Sequence, residues 1–165
     1  MIDEHTAEIE LSQGYWARVD VGSLPILTPH SWHIQRSKGR VYAKTQISRR
    51  TVYMHRLVAN APRVRGLVVD HRNGSTLDNR KANLRLATFK QNAQNSSGAA
   101  GRRRSATRGV SFRKHATLPW RCYIYVDGRF KHIGYFATEE EAREARSQVE
   151  KELFGEFAFQ CRPAA

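Results

Sequence analysis

Residues 69 to 95 read VDHRNGSTLDNRKANLRLATFKQNAQN, and this stretch decides how the first half of the chain folds. The apolar run Gly66-Leu67-Val68-Val69 leads directly into Asp70 and His71, which predicts that both residues stand at the end of a strand. A second apolar run, residues 84–87, predicts a partner strand. The segment between the runs contains the turn pair Asn73-Gly74, so we expect it to fold the two strand ends together.

Polar side chains continue beyond the second predicted strand. Thr88 is a suitable N-cap for a short helix that ends near Asn95, and this helix carries Asn92. Folding of the loop then brings a carboxylate (Asp70), an imidazole (His71) and a carboxamide (Asn92) to one small site. The combination permits phosphodiester hydrolysis, because a hard cation such as Mg²⁺ binds through Asp and Asn oxygens and neutralises a phosphate. The imidazole of His71 can take a proton from the attacking water near neutral pH.

The same stretch resembles the HNH endonucleases, and more narrowly the intron-encoded and phage homing enzymes in which Asn replaces the last His of the name. The likeness covers most of residues 52 to 96 and is specific because several fixed spacings agree together. Its matching segments are Met54-His55-Arg56-Leu57-Val58, Asp70-His71, Asn73-Gly74, Leu77-Asp78-Asn79-Arg80, Asn83-Leu84-Arg85 and Gln91-Asn92-Ala93-Gln94-Asn95.

This resemblance implies a role for each polar residue of the motif. Asp70 and Asn92 would bind Mg²⁺, or Mn²⁺ or another divalent cation, and His71 would be the general base. Asn83 would hold the loop and support His71. Asn95 is the alternative to Asn92, and the spacing from Asp70 favours Asn92. The implied fold is a ββα-metal finger, a strand hairpin followed by one helix.

The segment before the motif reads as short strands separated by turns. Strands are predicted at residues 9–11, 15–19, 32–34 and 40–43, and a short helix at 54–60 is stopped by Pro62. Within that helix His55 is interpreted as structural rather than catalytic. The sequence leaves open whether the basic side chains of this region contact DNA or support the finger, namely Arg36, Lys38, Arg40, Arg49 and Arg50.

A basic linker follows the motif. Residues 96 to 107 read SSGAAGRRRSAT, and the small residues and Gly predict a flexible segment. Arg102, Arg103 and Arg104 predict contact with a phosphate backbone, and a solvated spacer without DNA contact is the alternative.

Residues 108–158 predict a small antiparallel sheet with one helix packed across it. Residues 120–126 alternate, which places Cys122 and Ile124 on one face and Arg121, Tyr123 and Tyr125 on the other. The sequence Asp127-Gly128 predicts a tight hairpin to a strand at 130–136. A capping box begins the helix, Gly155 ends it, and its predicted apolar stripe is Ala142, Ala145, Val149 and Leu153.

This region resembles a second family, the Apetala-type or ethylene-response-factor DNA-binding domain. The likeness spans roughly residues 107 to 159 and rests on Arg108-Gly109-Val110, Trp120-Arg121, Gly134-Tyr135-Phe136, the Glu-rich helix start and Gly155-Glu156-Phe157-Ala158. In that family a three-stranded sheet enters the major groove of duplex DNA. The residues implied in DNA binding are Arg108, Arg113, Arg121, Tyr123, Tyr125 and His132, with Lys114, Arg129 and Lys131 as phosphate contacts. Because the chain has Tyr123, Tyr125 and His132 where that family has charged residues or Trp, no target sequence is carried over.

Charge indicates the class of partner. The net charge is +13 and the pI about 10.4, which favours a polyanion; nucleic acid is the default and an anionic membrane surface the competitor. Residues 21–137 contain 23 Lys or Arg and only three acids, Asp70, Asp78 and Asp127. No segment has the ~18 apolar residues of a membrane span. Cys122 and Cys161 lie far apart, outside any metal-ligand spacing, so a soluble protein in a reducing cytoplasm, bacterial or phage-infected, is expected.

These observations together predict an α+β chain. Its predicted parts are a β-rich segment at 1–62, the nuclease motif at 63–96 (the domain as a whole 1–96), the linker at 97–107 and the second module at 108–159. The predicted function is metal-dependent cutting of double-stranded DNA by a nicking or homing enzyme of a phage or bacterial mobile element. One motif offers one active site, so a monomer would nick and a dimer would cut both strands. The alternatives are a non-catalytic DNA-binding regulator and a protein acting on structured RNA.

Overall fold

The computed structural model describes residues 4–94, 107–114 and 116–158, and within them the chain is α+β, as predicted. The described residues form four small antiparallel sheets. The chain divides into two compact units, residues 1–92 and 93–165. No helix in the described ranges combines the length and the apolar content that crossing a bilayer requires. Most of the predicted linker, with Arg102, Arg103 and Arg104, lies outside the described residues, as does Cys161.

The first unit begins with a hairpin whose second strand later holds the motif loop. Strand β1 (Thr6–Glu10) pairs with β2 (Trp16–Asp20), in line with the prediction. The turn between them uses positive φ angles at Gln13 and Gly14. Along β2 the buried Ala17 and Val19 alternate with more exposed neighbours, as one-sided burial of a strand requires.

A three-stranded sheet and two short helices complete the support of the motif. Helix α1 (Leu24–Leu27) is followed by β3 (His33–Ser37), β4 (Arg40–Ile47) and β5 (Arg50–Tyr53), in the order β3-β4-β5. Helix α2 (Met54–Val58) follows directly and ends short of the predicted residue 60. Strand β5 is not predicted from the sequence, because the turn before it has positive φ at Ser48 and Arg49, residues that rarely mark such turns.

The motif itself forms two antiparallel strands and a helix. Strand β6 (Leu67–His71) pairs with β7 (Leu84–Thr88) so that Asp70 faces Arg85 and His71 faces Leu84. Helix α3 (Phe89–Gln94) begins at the end of β7. Thr88 Oγ1 accepts a hydrogen bond from Gln91 N, at 3.2 Å, and Gln91 Oε1 accepts one from Thr88 N, at 2.8 Å. This reciprocal pair is a capping box, and it confirms Thr88 as the N-cap residue.

The core of the first unit joins these pieces. Leu27, Met54, Val69 and Leu84 are buried in one cluster that α1, α2, β6 and β7 share. Trp32 closes one side of it and donates Nε1–H to Leu27 O at 2.9 Å, which satisfies the indole in an apolar setting. Strand β6 therefore sits against a fixed core just before it reaches Asp70 and His71.

The second unit is a three-stranded sheet covered by one helix, as predicted. The strands β8 (Val110–Phe112), β9 (Trp120–Val126) and β10 (Arg129–Phe136) have the order β10-β9-β8. Helix α4 (Glu139–Phe154) starts at Thr138, whose side chain accepts from Glu141 N, and ends at Gly155. Cys122 is buried in the small core between sheet and helix, and burial raises the pKa of its thiol to about 11.

The buried stripe of α4 differs from the predicted one. Instead of Ala145, Val149 and Leu153, the structure buries Arg146 and Glu150 with Ala142, and Leu153 is exposed. Arg146 Nη2 and Glu150 Oε1 form an ion pair at 2.6 Å, and Arg146 Nε donates to Arg108 O at 3.1 Å. The apolar pattern was wrong here because the two charges neutralise each other and can be buried as a pair.

Gly109 is the backbone position on which this arrangement depends. Its φ is +77°, and a Cβ there would overlap the carbonyl oxygen of Tyr123 and lie 2.8 Å from Arg146 Nε. We expect Gly109→Ala to destabilise the second unit by about 3 kcal/mol, from backbone strain together with this clash. Gly128→Ala is the matched control: its φ is also +77° but the space around it is open, so strain alone of about 1–2 kcal/mol is expected.

Amide hydrogen exchange of peptides from residues 108–158 measures this difference separately from the first unit. Equal loss of protection in the two variants would show that Gly109 is not under steric constraint.

Candidate functional site

The loop between β6 and β7 is closed by one side chain, that of Asn83. Its Nδ2 donates to Asp78 O at 2.7 Å, and its Oδ1 accepts from Asn73 N at 3.0 Å. Its backbone oxygen accepts from Arg72 N at 2.8 Å. Asn83 therefore fixes the start and the middle of the loop at once, which is the geometry that a loop-holding residue requires.

Asp78 forms the second fixed point of the loop. Its carboxylate accepts a hydrogen bond from Asn73 Nδ2 at 2.8 Å and two from Arg80, through Nε and Nη2, each at 2.8 Å. Burial acts to raise the pKa of Asp78, but the hydrogen bonds from Arg80 and Asn73 outweigh it and hold the pKa below its ordinary value. The carboxylate therefore stays ionised and keeps the loop in one conformation.

His71 lies at the base of this loop and is only 4% exposed. Its Nε2 lies 3.3 Å from Asn79 Oδ1, while Asn79 Nδ2 donates to Leu77 O at 3.3 Å. Because an amide oxygen can only accept, His71 donates through Nε2, and the lone pair of the neutral ring is on Nδ1. Burial lowers the pKa of His71 more strongly than Asn79, Asp70 and Asp78 raise it, so the imidazole is neutral near pH 7.

A group of aromatic rings surrounds the imidazole of His71. The His55 ring meets it edge-on, with centroids 5.2 Å apart, and Tyr53 stacks on His55 at 5.5 Å. Tyr42 contacts His55 and His71 from β4, at 5.8 and 6.4 Å. Burial, then the neighbouring His71 and Arg56, lower the pKa of His55 to about 3. His55 is thus a neutral packing partner of His71, which fits its predicted structural role.

Asp70 is held apart from this ring group. The sequence predicts that Asp70 and His71 meet at one small site, but strand β6 does not bring them to the same side, because consecutive residues of a strand project to opposite faces of the strand pair. Asp70 Oδ2 accepts from Arg85 Nε at 2.9 Å and from Nη2 at 2.7 Å, and both residues are buried. The sequence does not indicate the pairing of Arg85 with Asp70; for Asn79 it predicts bonds to the loop backbone, which the bond to Leu77 O shows, but not the contact with His71. Both stand in the matched segments, but only the register and the loop closure show which side chain each one contacts.

The predicted metal ligands supply oxygen donors from two elements. Asp70 is on β6, and Asn92 is half-buried on α3, which starts across from Leu67. A carboxylate and an amide oxygen suit a hard divalent cation, so the donor chemistry fits. Among the described residues no three His, Cys, Asp or Glu side chains form a group that could hold a metal ion. The predicted set of one Asp and one Asn does not depend on such a group.

The solvent-facing side of the sheet in the second unit carries cations and aromatic rings. The guanidinium of Arg121 lies 4.9 Å from the centroid of Phe130 and 5.5 Å from that of Tyr123. Arg113 Nη1 donates to Tyr135 Oη at 3.1 Å, and the exposed Tyr125 packs against Phe130. Phe130 and Tyr135 had not been predicted as part of this face; the register opposite Tyr125 and Arg121 places them there.

The other residues predicted to bind DNA lie at different positions of the second unit. His132 faces Tyr123 across the strands and belongs to the same side, but Arg129 and Lys131 face Val126 and Ile124, on the opposite side. Arg108 precedes β8 and Lys114 follows it, both exposed. Two sides of the sheet are therefore basic; Tyr123, Tyr125 and Phe130 lie on the solvent-facing side, whereas Trp120 and Phe136 pack into the core under the helix.

Comparison with known proteins gives two findings. Residues 52–94 match a family model described as HNH endonuclease. Over 149 residues the chain is 30% identical to a protein of Acanthamoeba polyphaga mimivirus named "Uncharacterized HNH endonuclease L560", covering 88% of this chain and 74% of that relative. No solved structure matches the chain.

The buried His55 makes stability depend on pH. The unfolded chain takes up a proton at His55 below about pH 6.5 but the folded chain only near pH 3, so acid favours unfolding. We expect the free energy of unfolding to fall by about 1.4 kcal/mol per pH unit from His55 between these values, with His71 acting in the same direction. Urea unfolding at a series of pH values, in EDTA, measures it.

Two variants isolate the contribution of this imidazole. His55→Phe keeps an aromatic ring but cannot take a proton. The number of protons that the chain takes up on unfolding, which is the slope of the free energy of unfolding against pH, should therefore fall by about one. His33→Gln removes an exposed imidazole and should keep the wild-type dependence. If His55→Phe unfolds with an unchanged dependence on pH, the imidazole of His55 is not what couples folding to protons.

Proposed function

The chain belongs to the HNH endonuclease family and is a nuclease, a hydrolase of phosphodiester bonds; on this basis we propose that it is a metal-dependent enzyme that nicks duplex DNA, with His71 in its active site. The observation that supports the site most directly is the contact between His71 and Asn79. It holds a neutral imidazole in one tautomer at the base of a loop fixed by Asn83 and Asp78.

In this proposal His71 is the proton acceptor of the reaction. Its Nδ1 takes a proton from a water molecule as the water oxygen attacks phosphorus, and the P–O3′ bond breaks. Asn79 stabilises the imidazolium that forms by accepting from Nε2, and His55 and Tyr42 keep the ring from turning. Asn83 is a positioning residue that acts through the loop.

Asp70 and Asn92 would hold the divalent cation, with Mg²⁺ or Mn²⁺ as the expected ions. Bound there, the cation would neutralise the scissile phosphate and the leaving oxygen. Arg85 has a defined part in this arrangement, because its two hydrogen bonds to Oδ2 orient the Asp70 carboxylate. The strand pair, the loop and α3 would then correspond to the ββα-metal finger.

The second unit would position the enzyme on DNA through the aromatic and basic side of its sheet. Arg121 lies on this side beside the rings of Phe130 and Tyr123, and a guanidinium there can donate hydrogen bonds to a phosphate or a base edge. The rings of Tyr123, Tyr125 and Phe130 surround it with apolar surface. An Apetala-type module would use a sheet in this way, in the major groove.

The proposed setting is a mobile element of a phage, a virus or a bacterium. A chain with one His71 site cuts one strand per binding event, so a monomer nicks, and a double-strand break takes a dimer or a second binding event. The mimivirus relative supports a viral setting by its source.

The reaction is tested by nicking of supercoiled plasmid DNA. We expect the wild-type protein to convert it to the open-circular form with Mg²⁺ or Mn²⁺ and not with EDTA. We expect His71→Ala to lower the rate by about 10²–10⁴-fold, the usual contribution of a general base, with unchanged DNA affinity. The control His5→Ala removes an exposed imidazole that lines neither groove of the first unit and should cut normally.

The same assay separates the alternatives. Cutting that persists in EDTA, or that His71→Ala leaves intact, contradicts the proposed mechanism. DNA binding without cutting under any divalent cation would identify a non-catalytic DNA-binding regulator. Preferential binding and cleavage of duplex RNA would indicate RNA as the substrate.

The role of the second unit is tested with Arg121→Gln. We expect DNA affinity to fall by about 1–3 kcal/mol, while the rate at saturating DNA stays at the wild-type value, because the substitution leaves the first unit unchanged. Arg143→Gln on α4 removes the same charge from an exposed pair with Glu140 and should bind like the wild type. Equal affinities of the two variants would exclude this side of the sheet as a DNA contact.

A further inference from the structure

A groove in the first unit has the chemistry of a phosphate-binding site. It has a volume of about 480 Å³ and lies between β5 and the segment that follows α2, with Thr51, Asn60, Arg56 and Arg63 among its lining residues. Arg56 Nη2 donates to Pro62 O at 2.9 Å, and Arg63 Nη2 donates to Thr51 O at 3.4 Å. Each guanidinium is thus tied to the backbone through one nitrogen, which orients its remaining donors.

A second groove extends the first along the sheet. It has a volume of about 530 Å³ and shares Thr51 with the first groove, and His30, His33 and Lys44 contribute to its walls. None of the residues that line the two grooves is acidic. The surrounding sequence also carries charge of one sign only, since residues 21–69 contain nine Lys or Arg and no Asp or Glu. The two grooves, which share Thr51, are together called the basic track here, and their charged lining residues are Arg56, Arg63 and Lys44.

The basic track reaches the rings that hold His71. Tyr53 lines the first groove and stacks on His55 at 5.5 Å, and His55 meets His71 edge-on at 5.2 Å. Arg56 directly follows His55 in α2. A DNA backbone lying in the track would therefore pass beside Tyr53. Tyr53 is linked through the ring of His55 to His71, the proposed proton acceptor.

We propose that the basic track binds the sugar–phosphate backbone of the DNA substrate, with Arg56 and Arg63 each contacting one phosphate. The inference rests on the proposed function, and it assigns to the first unit a DNA contact of its own, separate from the sheet of the second unit. Guanidinium groups suit this ligand because they bind phosphate oxygens through paired donors. Such contacts carry no sequence information and set the register of the strand on the enzyme.

The test measures binding of the full-length double variant R56Q/R63Q to a fluorescent duplex oligonucleotide in EDTA, over a range of salt concentrations. Loss of two phosphate contacts should reduce the slope of log K against log salt by about 1.8. If the lines meet near 1 M salt, affinity falls about 60-fold near 0.1 M salt. In plasmid nicking, KM should rise while kcat stays at the wild-type value.

The double variant R36Q/K38Q is the matched control. It removes the same charge from exposed positions at the far ends of β3 and β4, which line neither groove. It should keep a salt slope close to that of the wild type. Because Arg56 bonds a backbone carbonyl, thermal unfolding is measured alongside; if R56Q/R63Q unfolds early, Arg63→Gln alone, at an exposed position, should reduce the slope by about 0.9.

The outcomes separate this proposal from the proposed function. If R56Q/R63Q, or Arg63→Gln in its place, binds with the slope and affinity of the control, the track does not bind DNA, whatever the nicking assay shows. If the wild-type protein fails to nick and the slope still falls, the track binds DNA and the enzymatic proposal fails. A loss of kcat with unchanged affinity would also overturn the track and would give Arg56 or Arg63 a role in the reaction itself.

Discussion

The hydrogen bonds of the Asn83 side chain are the constraint on which the site depends. With its amide group and its backbone oxygen, Asn83 holds the loop between β6 and β7 at Asn73, at Asp78 and at Arg72. This closure places Asn79 within 3.3 Å of His71, and that contact determines which imidazole nitrogen carries the lone pair. One buried amide thus connects the sequence spacing of the motif to the tautomer of the His71 imidazole.

The N-terminal hairpin extends this constraint beyond the motif. The backbone of Arg18 in β2 donates to Leu77 O at 2.8 Å and accepts from Asn79 N at 2.7 Å, so the loop is bound on its outer side as well. Thr76 Oγ1 donates to Val41 O of β4, a third attachment. Residues of β2 and β4, far from the motif in the sequence, therefore help to determine the position of Asn79. This explains why the fold requires the N-terminal strands although they carry none of the proposed catalytic residues.

The sequence predicted the elements well where local chemistry sets them and poorly where distant contacts do. The N-cap residues Thr88 and Thr138, the hairpin at Asp127-Gly128 and the helix end at Gly155 are predicted correctly because each signal lies within a few residues, although Glu141 accepts from Ala137 N and not from Thr138 N as a capping box requires. Strand β5 and the buried Arg146–Glu150 pair were missed, since a turn at Ser48-Arg49 and a burial that depends on charge pairing have no local pattern. In the site, the motif indicated His71 and Asn83, whereas the partners Arg85 and Asn79 follow only from strand register and loop closure.

The few acidic residues in the basic part of the chain lie at specific positions in the fold. Of the three carboxylates between residues 21 and 137, Asp70 is paired with Arg85 and Asp78 with Arg80, while Asp127 lies in the tight turn between β9 and β10. Two of the three are thus held in ion pairs inside the motif, where each has a structural task. None of the residues that line the two grooves of the first unit is acidic, so a polyanion lying in them meets no carboxylate among the lining residues. Within the motif each of the two carboxylates is compensated by an arginine, which limits the negative charge that this part of a basic chain presents to a polyanion.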